Sequence, residues 1–102
     1  MSEEIHVEFE VRSMPIMRKT LNEMGHAFTE TQKDILVVNR KYHNIVINGK
    51  TGEVSLDVEN KREVDLITQN YQTAWFKDNL IREGHQYTEE VVNGVVELYV
   101  SE

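Results

Sequence analysis

Histidines and carboxylates are the side chains of this chain best suited to chemistry: there are 4 histidines and 18 acids. His26 and His85 each follow a glycine that closes a helical stretch, where the negative end of the helix dipole welcomes a cation. No His-x-x-x-His pair and no His-Glu-x-x-His motif occurs, and there is no cysteine, so no metal site is expected. Nucleophilic catalysis needs a hydroxyl or thiol beside a base, and acid–base work needs carboxylates paired in a cleft. No serine or threonine falls in an elbow-like turn, and nearly all the acids fall on polar faces. Asn48-Gly49-Lys50-Thr51-Gly52 lacks the spacing of a phosphate-binding loop and the helix that would follow it, and reads as a hairpin turn. No catalytic residue, no enzymatic activity and no cofactor is therefore expected.

The acids say more as a pattern. Glu4, Glu8 and Glu10 share the polar side of an alternating segment with His6 and Arg12. Asp57 and Glu59 share the polar side of a second such segment, and Glu89, Glu90 and Glu97 fall in the last one. Side chains two apart on a strand are separated by about 6.6 Å. If these strands share a sheet, its exposed face becomes a grid of carboxylates. Like charges across strands cost stability, so such a cluster would point to a function. Its spacing is of the order of that between phosphates, which a basic DNA-binding surface would accept in place of DNA. The plainer reading is that the outer faces of strands must be polar anyway, and Arg40-Lys41 and Lys61-Arg62 interrupt the acidity. Trp75-Phe76, in a mostly polar stretch, is a candidate interaction hot spot. Neighbours on a helix point about 100° apart, so both cannot lie squarely in one narrow stripe. Packing of both in the core is the plainer reading, and Trp75 is the one taken as a partner contact.

These side chains need elements to hold them. Ile5, Val7, Phe9 and Val11 alternate with polar residues and predict a half-buried strand over 4–12. Ser13 reads as a helix cap with Pro15 in the first turn, and Met14, Met17, Leu21 and Met24 form one apolar stripe ending at Gly25. That methionine stripe is read as core-facing before it is read as a binding surface. A short strand is expected over 26–31. The runs 35–38 and 42–47 are either two strands or one strand bent near Arg40-Lys41. Val54, Leu56 and Val58 alternate with Ser55, Asp57 and Glu59 as another strand. Asn60 with Glu63 three residues on resembles a capping box for a helix of about 20 residues ending at Gly84. Its core side is expected to carry Val64, Ile67, Tyr71, Ala74 and Ile81, widened by Leu66, Trp75, Phe76 and Leu80. Asn93-Gly94, between two β-branched runs, is the strongest short-range signal for a hairpin.

Gly25-His26-Ala27-Phe28-Thr29-Glu30 echoes Gly84-His85-Gln86-Tyr87-Thr88-Glu89, and Val7 to Val11 echoes Val54 to Val58. The chain, read as one domain over 1–102, thus divides into two strand–helix–strand–strand halves, about 4–47 and 52–101. The expected fold is α+β: a mostly antiparallel sheet with two helices on one face.

Charge and composition narrow the function. A net charge of −7 disfavours direct binding of nucleic acid, which rests on lysine and arginine at phosphates. The absence of cysteine favours a cytosolic setting, and Met1-Ser2-Glu3-Glu4 lacks the start of a signal peptide. No apolar run approaches the length of a membrane span, so no membrane partner is expected.

Ile67-Thr68-Gln69-Asn70-Tyr71, Gly84 and Asn93-Gly94-Val95-Val96-Glu97-Leu98 resemble a conserved family of unknown function found in plastid and cyanobacterial genomes as a hypothetical chloroplast reading frame. Lys50-Thr51-Gly52-Glu53-Val54 with Asp57, and Leu21-Asn22-Glu23-Met24-Gly25, fit its layout. The acidic start and the Trp75-Phe76 pair depart from it. The resemblance implies the fold and assigns no activity. In type, the chain is also similar to the small acidic host-takeover proteins of bacteriophages. The function expected first is inhibition of a basic DNA-binding host protein, of the nucleoid-associated HU type or in the transcription machinery, by mimicry of DNA in the bacterial cytoplasm. Glu8, Glu10, Asp57 and Glu59 would be the main contacts, supported by Glu4, Glu89, Glu90 and Glu97. A homodimer would extend that surface. The alternative is a housekeeping accessory or assembly module of the plastid-like family, contacting partners through Trp75 and the long helix.

Overall fold

A computed structural model describes residues 3–101. Its elements run β1 (Glu4–Glu8), α1 (Met14–Glu23), β2 (Phe28–Gln32), β3 (Ile35–Val38), β4 (Ile45–Asn48), β5 (Glu53–Asp57), a 3₁₀ turn (Val58–Asn60), α2 (Lys61–Arg82), β6 (Gln86–Val92) and β7 (Val95–Ser101). The fold is α+β. Five antiparallel strands form a sheet in the order β1-β5-β4-β3-β2, and β6 and β7 form a two-stranded ribbon of their own. The hairpin does not extend the sheet, as a single-sheet arrangement of the two halves would require. The runs 35–38 and 45–48 are two separate strands, paired to each other.

Alternation decides which side of the sheet is core. Leu36, Val38, Ile45, Ile47, Val54 and Leu56 point one way, are almost fully buried, and meet Met17 and Leu21 of α1 and Val64, Ile67 and Tyr71 of α2. The methionine stripe is core-facing at Met17, with Met14 and Met24 packed at its margin. Both helices end alike. After α1, Gly25 lies at φ +80°, its N–H donates to the Asn22 carbonyl (3.1 Å), and the His26 N–H donates to the Leu21 carbonyl (2.9 Å). After α2, Gly84 at φ +79° and His85 repeat this on Ile81 (3.0 Å) and Leu80 (2.9 Å). These are Schellman caps, and they give the Gly-His echo in the sequence a structural meaning.

The start of α1 follows its signal: the Ser13 Oγ accepts from the Ile16 N–H (3.4 Å) with proline in the first turn. The start of α2 does not. Asn60 makes no side-chain cap bond. Its amide instead donates to the His43 carbonyl (2.9 Å), and its Oδ1 accepts from the Arg40 Nε (3.4 Å). Glu63 meets the nearly buried His26 ring at 2.6 Å, joining the end of α1 to the first turn of α2. Tertiary partners therefore replace the capping box. Ile81 is exposed, and Leu80 takes the buried position near the helix end. Among the described residues no helix is long and apolar enough to cross a membrane.

Candidate acidic interface

β1 is an edge strand, paired only with β5. Their register sets Glu4 opposite Asp57, His6 opposite Ser55 and Glu8 opposite Glu53. These six side chains share the sheet face turned away from the helices, because their neighbours Ile5, Val54 and Leu56 pack inward. Glu8 and Glu53 are thus like charges in direct cross-strand register, an unfavourable arrangement. The acids do not continue across the sheet. By the same register the outer face of β4 and β3 carries Val46, Asn48, Ile35 and Val37, so the grid contracts to a strip along one edge.

Each expected contact residue now has a place. Glu4 and Glu8 are exposed on β1. Glu10 lies beyond the strand, which ends where the Phe9 N–H turns to the Gly52 carbonyl (2.6 Å), and is 3.7 Å from Arg12. Glu8 and Glu10 border a shallow concavity with Glu53 and the turn 49–52, where Lys50 supplies a local positive charge. Asp57 is not a surface contact. It is 5% exposed, and its two oxygens accept from the Glu3 N–H and the Glu59 N–H, both at 2.9 Å. It caps the 3₁₀ turn and fixes the entry to β1, so its carboxylate is used internally. Glu59 remains exposed in that turn, two residues beyond the end of β5.

The remaining acids belong to the hairpin. Glu90 and Glu97 are cross-strand partners there. Glu89 sits on the opposite face of the ribbon and pairs with Lys77 of α2 at 2.7 Å. Glu97 accepts a short hydrogen bond from the Tyr99 hydroxyl, which holds the phenol above its ordinary pKa, with desolvation adding to the rise.

Trp75 is half-buried, packs against the core and lies 5.0 Å beneath the Arg12 guanidinium. Its neighbour Phe76 is the exposed aromatic, at 45%. Core packing thus holds for Trp75, and Phe76 is the member of the pair that reaches the surface.

Glu53 was missed in the sequence. Its parity with Ser55 and Asp57 was the available signal, hidden by its place at the end of a turn. His6 Nδ1 meets Glu53 Oε1 at 2.6 Å and Ser55 Oγ at 3.1 Å. Serine, histidine and carboxylate invite comparison with a hydrolytic triad. That triad needs serine and carboxylate on opposite ring nitrogens, whereas here both use Nδ1, so the ring cannot pass a proton between them. Among the described residues no group of three histidine, aspartate or glutamate side chains is arranged to hold a metal ion. No protein-family model, no curated protein and no solved structure matches the chain.

Proposed function

We propose that the chain is a small acidic protein-binding module whose β1–β5 edge engages a basic DNA-binding protein, of the HU type or in the transcription machinery, and inhibits it by occupying the place of DNA phosphates. The observation that carries this reading is the placement of Glu8 against Glu53, beside Glu4 and Glu10, on an open sheet edge. Carboxylates in that register on an open edge offer a cationic surface several counter-charges at once. Asp57 has no part in the contact. Binding of a purified HU-type protein, measured by biolayer interferometry at low and high salt, tests the reading. The double variant Glu8→Lys, Glu10→Lys, with wild-type circular dichroism, should bind at least about tenfold more weakly, and wild-type binding should fall with salt and with added DNA. An affinity unchanged by the double substitution would sink the proposal.

A second reading follows from a different observation. Phe76, Ile81 and much of the hairpin are exposed and apolar, which suits an accessory module of the plastid-like family docking through α2 and the hairpin. Its binding would resist salt and depend on Phe76 rather than on Glu8.

A further inference from the structure

The closing hairpin is an incomplete sheet. Two strands alone are marginal in water, and this ribbon has no third strand among the described residues. It exposes apolar side chains on both faces, Val91 at 68% on one and Tyr99 at 49% on the other. We propose that β7 is a dimerisation edge: it pairs antiparallel with β7 of a second copy about a two-fold axis, joining two hairpins into one four-stranded sheet. This is independent of the acidic-edge reading.

Hydrogen-bond parity, charge and one aromatic side chain select this edge and its register. Asn93 and Gly94 both have positive φ and form a two-residue turn between Val92 and Val95. Such a turn makes its flanking residues a hydrogen-bonded pair, so alternation points the N–H and C=O of Val96, Leu98 and Val100 toward the open edge. These three positions are symmetric about Leu98. A two-fold axis there sets Leu98 against its own copy and Val96 against Val100 of the second copy, matching donors to acceptors and making one continuous apolar stripe. The only charge on β7 is Glu97. In this register it faces Tyr99 of the second copy, the residue type it already bonds within its own strand. Centring the axis on Glu97 would oppose two carboxylates. β6 fits less well, because pairing about its middle residue sets Glu89 against itself. Phe76 reinforces the choice: it lies beside Val96 and Leu98, where the added strand would cover it.

Sedimentation equilibrium of the whole chain tests the proposal. The wild type should be a dimer. Val100→Pro, which removes an outward N–H without touching the ladder to β6, should weaken association at least about tenfold while keeping the wild-type circular dichroism. Phe76→Lys, on an exposed helix position, should weaken it by a similar factor and serves if the proline variant fails to fold. Val91→Pro, the equivalent block on β6, should leave the dimer intact. A wild type that sediments as a monomer throughout overturns the proposal, as does a dimer indifferent to Val100→Pro and Phe76→Lys. Loss of the dimer in Val91→Pro alone overturns the choice of edge.

Discussion

The Tyr71 hydroxyl accepts hydrogen bonds from two consecutive amides, Arg12 N–H at 2.8 Å and Ser13 N–H at 3.0 Å, while its ring meets Phe9 edge-on at 5.5 Å. One buried side chain of α2 thereby satisfies the backbone where β1 gives way to α1. Tyr71→Phe keeps the ring and orphans two part-buried donors, so it should cost about 1–3 kcal/mol, read as a lower urea midpoint at unchanged slope. A midpoint equal to wild type would mean that water replaces the hydroxyl. At the surface, Arg18 grips Glu30 with two hydrogen bonds, at 2.8 and 3.1 Å. That grip, with help from the Asp34 N–H, holds the Glu30 carboxyl below its ordinary pKa. A depressed carboxyl stabilises the fold above its unfolded pKa of about 4.3, and the contribution disappears as pH falls through the lower folded value. Wild type should therefore exceed Glu30→Gln by a constant margin near neutrality, and the margin should close on acidification. A margin independent of pH would show the pair to be energetically silent.

At the scale of elements, the two helices share one ending. Apart from the adjoining residues, nothing lies within 4 Å of where a β-carbon at Gly25 or Gly84 would sit, so an alanine there meets no tertiary clash and the left-handed backbone is what resists it. Gly84→Ala should cost about 1–2 kcal/mol, measured by thermal unfolding, and Gly25→Ala should match it. A much larger loss at one site would mean that the caps are not equivalent. The ends of α2 also show how far local signals reach. The Gly84 stop and the Asn93-Gly94 turn were legible because backbone conformation at a glycine is a local property. The Asn60–Glu63 box was misread because both side chains found partners far along the chain, in Arg40, His43 and His26.

As a whole molecule the protein is elongated, 49 × 32 × 23 Å, with a radius of gyration of 14.8 Å against about 13 Å for a compact chain of this length. The core of the sheet and helices is closed, and the hairpin lies against α2 across an open groove of about 540 Å³. This separation divides the acids into two groups, an edge strip at Glu4, Glu8, Glu10 and Glu53 and a hairpin set at Glu89, Glu90 and Glu97. Charge reversal at Glu8 and Glu10 and proline on β7 should therefore act independently, the first on salt-sensitive binding and the second on self-association.

Whereas the first half carries three strands after its helix where two were expected, the sequence by itself determined the α+β class, the inward methionine stripe, both glycine caps and the final turn. Each rests on a period of two or 3.6 residues or on a local backbone conformation. Only the tertiary structure decided which strands are neighbours, and with that which carboxylates meet. It set Glu53 beside Glu8, drew Asp57 inward to cap a turn, exposed Phe76 in place of Trp75, and left the hairpin outside the sheet. Strand pairing joins residues distant in sequence, so a polar face can be read from alternation while its neighbour across the ladder cannot.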